Sequence, residues 1–259
     1  MLEKEIRSYI AELGLDTFGI IKNPLSEDSR ENIISIAFPY NYLDTDSKNG
    51  FSIYTKRLDY HKVVKKYLDQ ICEFIHKHNF EAKGYVDNNR LPEKSIAQLA
   101  GLGFIGRNGL IITKKYGSYV FLGEIITDFQ FQQLDTPVES LCKDCYICEK
   151  GCPTNGIKNK SRCISYLTQQ KKLNIEDMNL LGQQIFGCDI CQEVCPHNRN
   201  ISKSNIAEFE TLSYMEYDAD FYANMDKEFF QNHIKQTSAG WRGKNVIIRN
   251  AQLRINKRS

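Results

Sequence analysis

No run in the sequence approaches the eighteen or so consecutive apolar residues that a membrane-spanning helix requires. The opening segment, MLEKEIRSYIAELGLD, is charged and amphipathic, and has neither the apolar centre nor the small-residue cleavage site of a secretory signal. An excess of one charge sign is lacking too. The 34 Lys and Arg against 32 Asp and Glu leave a net +2, so any contact with nucleic acid has to come from a local patch. There is no P-loop, no low-complexity tract and no repeat beyond two cysteine clusters. With 41% hydrophobic and 25% charged residues over 259 positions, the composition is that of a globular protein with one large domain or two modest ones. These features predict a cytoplasmic protein without membrane contact, and there thiols stay reduced. Nine cysteines in that setting point to metal ligation, not disulfides.

The first half alternates helices and strands. Leu2, Ile6, Ile10 and Leu13 are spaced for one helix face, and TFGII (17–21) and NIISIAFPYNY (32–42) read as strands. Residues 58–79 form an amphipathic helix with Val63, Val64, Leu68, Ile71, Cys72 and Ile75 inward and Asp59 as its cap. FEAKGYVD (80–87) reads as a strand, and LPEKSIAQLAGLG (91–103) as a helix with Pro92 in its first turn and Gly101 at its end. Strands follow at 109–117 and 118–128, joined by a turn near Tyr116-Gly117. The alternation predicts an α/β domain over 1–128. FQFQQLDTPVES (129–140) reads as a linker opening a cysteine module that extends to 200, with helices near 161–171 and 176–186. Residues 201–259 read as a helical tail.

Seven of the nine cysteines fall in two knots. CKDCYICEKGCP carries Cys142, Cys145, Cys148 and Cys152 with the C-x2-C-x2-C-x3-C-P spacing of bacterial two-cluster ferredoxins. Three thiolates on a tight loop serve three corners of one cubane, and the fourth points at the next. In the second knot, GCDICQEVCP, Ile185 stands where another cysteine would complete the copy, which brings in Cys163. The spacing assigns Cys142, Cys145, Cys148 and Cys195 to one [4Fe–4S] cluster, and Cys152, Cys163, Cys188 and Cys191 to the other. The competing assignment is two structural zinc sites, although zinc ribbons use paired C-x2-C knuckles and not a triple run. Cys72 reads as a buried small hydrophobe. His76, His78 and His233 read as surface residues. GLGFIG (101–106) has dinucleotide-fingerprint spacing but follows a helix, so NAD binding is rejected.

Several stretches together resemble the epoxyqueuosine reductases. They are YTKRLDYHKVVKKYL (54–68), VDNNRLPEKSIAQLAGLGFIGRNGLIITKKYGSYVFLGEIITD (86–128), the first cysteine run with RCISYLT (162–168), and IFGCDICQEVCPHN (185–198). A weaker echo follows in WRGKNVIIRNA (241–251). The resemblance implies an N-terminal α/β cobalamin-binding domain, or an α+β one, fused to a ferredoxin-like module with two [4Fe–4S] clusters. Through that chemistry the family reduces epoxyqueuosine to queuosine in tRNA. It implies Asp87 as the general acid, in an apolar cofactor cavity that would favour its protonated form; the plainer alternative is that Asp87 opens the turn DNNR. Tyr54, Asp59, Tyr60, His61, Gly103, Arg107, Asn108, Tyr116, Gly117 and Ser118 are the matched cofactor-site positions. Asp59 as a helix cap and Tyr60 and His61 as first-turn residues are the commoner situation.

The sequence departs from the family where Asn89-Arg90 replace its usual Gly-Pro, and where KNPLSEDSRE (22–31) stands for a longer helical stretch. The tRNA-gripping helical repeats of longer members are not reached. Phosphate contacts would then fall to Arg242, Lys244, Arg249, Arg254, Lys257 and Arg258, unless these form a solvated basic tail. An external low-potential electron donor is implied. The rival functions are a corrinoid-dependent reductase of a small molecule, of reductive-dehalogenase type, and a ferredoxin-like carrier or reductive activator of another corrinoid protein.

Overall fold

A computed structural model describes residues 1–27, 30–42, 48–87 and 91–257. The chain divides into two compact units. The first comprises Met1–Tyr40, Tyr60–Asp144 and His197–Ile206, and the second Asn41–Asp59, Cys145–Pro196 and Ala207–Ser259.

The first unit runs α1 (Leu2–Glu12), β1 (Phe18–Lys22), β2 (Asn32–Pro39), α2 (Tyr60–His76), β3 (Ala82–Tyr85), α3 (Glu93–Leu99), β4 (Gly103–Ile105), β5 (Ile111–Thr113) and β6 (Val120–Thr127). Four strands form a sheet in the order β1-β2-β6-β3. Every neighbouring pair is antiparallel. The mixed α/β composition is as the sequence suggests, and no pair of strands in this sheet is joined by a parallel crossover. β2 is buried along its whole length because helices cover both faces. On one side Val64 and Leu68 of α2 sit against Gly123 and Gly84, where an added Cβ would come within 2.8 Å of their side chains. On the other, Ile96 and Ala97 of α3 pack with Ile33, Ala37, Leu122 and Val120. Each buried Val, Leu or Ile among them contributes about 1.5–3 kcal/mol on burial. Cys72 lies on the buried face of α2, and burial pushes its thiol up to about 11.

The glycine run 101–106 conceals a structure that its composition hides. β4 and β5 form a hairpin there, with Gly103 opposite Thr113. A Cβ on Gly103 would meet the Ile112 carbonyl oxygen at 2.1 Å, so the strand pairing itself demands glycine.

The second unit carries α4 (Ile147–Gly151), α5 (Ile164–Thr168), α6 (Ile175–Leu180), α7 (Ile190–Glu193), α8 (Ala219–Ala223), α9 (Lys227–Asn232) and α10 (Lys244–Asn256). Its core gathers Phe51, Phe186, Met215, Tyr222, Phe230 and Ile247. Residues 41–59, expected with the N-terminal domain, belong here, and the boundaries at 128 and 200 do not follow the division. The reason is backbone pairing: Ser52 N–H donates to the Phe186 carbonyl at 2.9 Å, and Leu212 N–H to the Lys56 carbonyl at 2.9 Å. The tail is mostly short turns of helix; only α10 is long. Among the described residues no helix is long and apolar enough to cross a membrane.

Candidate functional site

Two short helices repeat one arrangement. Cys148 lies within α4 with Cys152 as its C-cap, and Cys191 lies within α7 with Cys195 just beyond its C-cap Val194. The helices pack closely enough that a Cβ on Gly151 would touch Val194 at 3.2 Å. Cys148 and Cys195 are buried, whereas Cys142, Cys145, Cys152, Cys163, Cys188 and Cys191 are partly exposed.

Electrostatics groups the thiols further. Burial pushes Cys188 up to about 12, and the charges of Asp189, Cys163 and Cys152 add to the rise. Burial likewise pushes Cys191 up to about 12, reinforced by Cys188, Cys163 and Cys148. Cys152, Cys163, Cys188 and Cys191 therefore share one neighbourhood, with Cys148 beside Cys191. Thiols crowded this way resist ionisation until a metal centre compensates them, and ligation requires the thiolate. Cys152 is the exception. Burial works against its thiolate, but the N–H groups of Thr154, Gly156 and Ile157 and the Thr154 hydroxyl together hold the thiol below its usual value. Gly156 N–H donates to Cys152 Sγ at 3.1 Å. Amide donors aimed at sulfur are among the features that tune iron–sulfur clusters. Among the described residues no three His, Cys, Asp or Glu side chains converge as a single-ion site does; a cubane takes its thiolates at separate corners.

Asp189, inside the second C-x2-C, is a feature that sequence reasoning passed over, its only signal being an acid between two ligand candidates. It is half-buried as a residue, desolvation of its carboxyl pushes the pKa up, and it accepts the Ser52 hydroxyl at 2.5 Å and Ile53 N–H at 2.8 Å. Burial also raises the Tyr54 phenol, which hydrogen-bonds to Ser165 beside Asp189 and Cys163. Tyr54 thus stands in the cysteine neighbourhood. Asp59 is also in the second unit, and its N–H donates to the Gln236 carbonyl at 2.8 Å.

The first unit assembles a different constellation. Asp87 adopts a φ of 54°, a left-handed conformation that aspartate tolerates. Its Oδ2 accepts the Tyr60 hydroxyl at 2.5 Å and lies 3.3 Å from His61 Nε2. Its N–H donates to Glu93 Oε1 at 2.5 Å. Tyr60 stacks on Phe121 with centroids 4.3 Å apart and on His61 at 4.1 Å, so the ring that orients Asp87 is held on both faces. The Asp87 side chain is 57% exposed, so the described residues do not enclose it in the expected apolar cavity. Asn89 and Arg90 lie outside the described residues.

The other matched positions are distributed more widely. Arg107 donates to the Lys143 carbonyl at 2.8 Å, next to Cys142. Asn108 Oδ1 accepts the Leu110 N–H at 3.2 Å, while its Nδ2 is buried without a partner. Tyr116 is a core residue whose hydroxyl donates to Asp16 at 3.0 Å. Ser118 N–H donates to Asn198 Oδ1 at 2.8 Å and its Oγ accepts from Asn198 Nδ2 at 2.9 Å. Gly117, with φ 58°, leaves room for that asparagine, whose Oδ1 would lie 2.1 Å from an added Cβ. Glu124 and Ser35, opposite each other on β6 and β2, were not singled out from sequence. Both are fully buried, and neither the carboxylate oxygens nor the Ser35 Oγ has a hydrogen-bond partner among the described residues. Burial, and then the Glu93 charge, push Glu124 up to about 9.

The basic tail divides into two groups. Arg254 is buried and donates to the Gln183 and Lys48 carbonyls, and Lys257 Nζ donates to the Met178 and Asn179 carbonyls at 3.1 and 2.9 Å. These two tie the last helix down and are not the free phosphate ligands they resemble in sequence. Arg242, Lys244 and Arg249 instead face a common cavity; Arg258 is outside the described residues. Of the histidines, His76 is exposed, with Nε2 accepting the Ala82 N–H at 3.1 Å. His78 lies against Phe74, and His233 between Tyr214 and Phe229.

Comparison with known proteins bears on both units. Residues 141–198 match a family described as a 4Fe-4S double cluster binding domain, and residues 26–88 match epoxyqueuosine reductase QueG. This region is therefore a 4Fe-4S cluster-binding one, and the zinc assignment is set aside. The epoxyqueuosine reductase of Lactococcus garvieae is 36% identical over 248 residues, covering 87% of this chain and 69% of its own length. The chain spans 54–69% of the length of the first curated relatives it matches. An epoxyqueuosine reductase solved with an epoxyqueuosine-modified tRNA-Tyr stem-loop superposes with a TM-score of 0.86 at 29% identity, over 98% of this chain and 80% of that one. The Bacillus subtilis enzyme, captured with its catalytic aspartate loop swung out of the active site, superposes with a TM-score of 0.84 at 27% identity, over 98% and 81%.

Proposed function

The chain belongs to the epoxyqueuosine reductase family, and we propose that it reduces epoxyqueuosine to queuosine in tRNA with cobalamin and two [4Fe–4S] clusters. The observation that carries this reading is the convergence of Tyr60 and His61 on one oxygen of Asp87. Reducing an epoxide to an alkene consumes two electrons and two protons and releases water, so an acid must serve the departing oxygen twice. Asp87 Oδ2 is the proton-carrying atom. Tyr60 fixes its direction, and His61, with Nε2 3.3 Å from Oδ2, is placed to restore its proton between the two deliveries. The left-handed backbone at Asp87 supports a loop role like that of the catalytic aspartate loop in the Bacillus subtilis enzyme.

Cobalamin, when bound, supplies a strongly reducing cobalt centre, and the clusters supply it with single electrons. Two features of the first unit suit a macrocycle rimmed with amides. Asn108 offers a buried Nδ2 with no protein partner, and beside it a Cβ on Gly109 would find nothing within 4 Å. The ligand sets remain those assigned by spacing: Cys142, Cys145, Cys148 and Cys195 for one cluster, Cys152, Cys163, Cys188 and Cys191 for the other. The shared neighbourhood of the second set and the amides around Cys152 support that division. An external low-potential donor completes the path, and the cytoplasm, with its tRNA and reduced thiols, is the setting.

The test is anaerobic reconstitution followed by nucleoside analysis of epoxyqueuosine-containing tRNA. Queuosine should form with the wild type, and Asp87→Asn should lower turnover by about 10²–10⁴-fold while iron and cobalamin content stay unchanged. Undiminished turnover in Asp87→Asn would remove the acid assignment. Cobalamin binding with no queuosine formed would move the substrate to a small molecule.

A further inference from the structure

The second unit holds a cavity of about 670 Å³ that the cysteine chemistry does not use. Lys171, Lys227, Arg242, Lys244 and Arg249 line it, with Phe230 and Val246 at its apolar part and no Asp or Glu among its lining residues. None of the five cations makes an ion pair among the described residues. Arg249 is held by neutral partners alone, the Lys171 carbonyl at 3.0 Å and Asn250 Oδ1 at 2.9 Å. Burial lowers the Arg249 pKa with no carboxylate to offset it. Arg242 keeps its Nε buried without a partner, and its guanidinium lies 3.5 Å over the ring of Trp241. Trp241, the one tryptophan of the chain, is 60% exposed. Lys244, Asn245 and Val246 also begin α10, a helix of 13 residues with no acidic residue in its first turn and no side-chain cap. Their N–H groups are among those that a helix leaves unpaired.

Five uncompensated cations on one concave surface, some drawn from positions more than seventy residues apart, make a poor solvated tail. They make a good seat for several phosphates, and an exposed tryptophan at the edge suits a nucleobase better than a free anion does. We propose that this cavity seats backbone phosphates of the RNA substrate, with Trp241 stacking on an adjacent base. The inference rests on the reading that the chain acts on tRNA. It assigns RNA docking to Lys171 and Lys227 together with Arg242, Lys244 and Arg249, in place of Arg254 and Lys257.

Fluorescence anisotropy of a labelled tRNA anticodon stem-loop, titrated with cluster-loaded protein at several salt concentrations, provides the test. Lys171→Gln with Lys244→Gln should weaken binding about tenfold or more, and reduce the slope of log K against log salt by about 0.7–0.9 for each phosphate the protein no longer neutralises. Trp241→Ala should weaken binding about fivefold or more with the slope unchanged, as removal of a base-stacking platform does. Iron content equal to wild type will show that each variant folds. Variants that match wild type in affinity and slope overturn the cavity assignment while leaving the tRNA reading intact. A wild type that binds no RNA removes that reading and this one with it. Tight binding of inorganic pyrophosphate that leaves RNA affinity untouched also overturns the proposal, in favour of a small-anion site.

Discussion

Tyr60 and Asp87 are joined by a hydrogen bond of 2.5 Å across 27 residues of sequence, with the phenol as donor and Oδ2 as acceptor. The ring is fixed independently of that bond, because it lies flat on Phe121 at an interplanar angle of 6°. Tyr60→Phe therefore removes the donor and keeps the stack. It should lower turnover by about tenfold or more through loss of acid positioning, with iron content, cobalamin content and thermal midpoint close to wild type. Steady-state kinetics on the loaded enzyme checks this. A variant with wild-type turnover would show that Asp87 needs no orienting partner.

Glu124 gives the fold a pH dependence of definite sign. Its carboxyl rises from an ordinary value of 4.5 to about 9 in the folded protein, first through burial and then through the Glu93 charge. A group raised on folding gives its full contribution below the unfolded pKa and loses it as pH climbs toward the folded one, because the unfolded chain releases a proton that the fold retains. Stability should fall from about pH 5 to pH 9 by up to ~1.4 kcal/mol per pH unit. Glu124→Gln should remove that slope and be more stable than wild type at pH 8, by up to about 5 kcal/mol. Urea unfolding at pH 5, 7 and 8.5 would decide it, and a gap that stays constant with pH would exclude Glu124 as the source.

How far the fold is legible in the sequence depends on whether side chains or backbone carry the information. The face of α2 can be read because Val63, Val64, Leu68, Ile71, Cys72 and Ile75 recur at helical spacing, and all are buried. β2 can be read from its β-branched run. The β4–β5 hairpin cannot, since Gly103 serves close backbone approach, Gly106 makes room for the Ile112 and Asn108 side chains, and neither leaves an apolar period. Lys56 and Arg57, both fully buried, mark a segment that hydropathy assigns to the surface. Proximity in sequence places residues 41–59 with their chain neighbours, whereas the backbone bonds of Ser52 and Leu212 tie them to the cysteine-bearing unit. Asp87, Tyr60 and His61 each stand out in the sequence, but their meeting on one oxygen needs the fold. The basic residues show the opposite failure. Arg254 and Lys257 have the sequence character of phosphate ligands, yet they satisfy carbonyl groups of their own unit.

The cluster proposed for Cys152, Cys163, Cys188 and Cys191 can be tested through a residue that carries no ligand atom. Gly156 donates its N–H to Cys152 Sγ, and an added Cβ would lie 2.5 Å from Cys163 Cα. Gly156→Ala must move one of the two cysteines, so reconstituted protein should hold about half the wild-type iron, as Cys163→Ala should also. Iron and sulfide analysis with EPR of the reduced protein reads the result. Full iron in Cys163→Ala would mean that another group completes that cluster.

Asn250 ties α10 to the segments of its own unit that flank the cysteines. It is fully buried, and its Nδ2 donates to the Thr168 carbonyl at 2.8 Å and the Ile185 carbonyl at 2.7 Å. Its Oδ1 receives Arg249 Nε at 3.0 Å. Two interior carbonyls thus depend on one amide, and an unsatisfied buried acceptor costs about 1–3 kcal/mol. Asn250→Leu, similar in volume and without a donor, should destabilise the protein by about 2–4 kcal/mol. Asn250→Asp should cost at least as much, since a carboxylate would face both carbonyls with only Arg249 to offset its charge. Chemical denaturation of the apo protein measures both. If the amide acts only as filler, Asn250→Leu will unfold at the wild-type midpoint, and α10 must then be held by the apolar contacts of Ile247 and Ala251 alone.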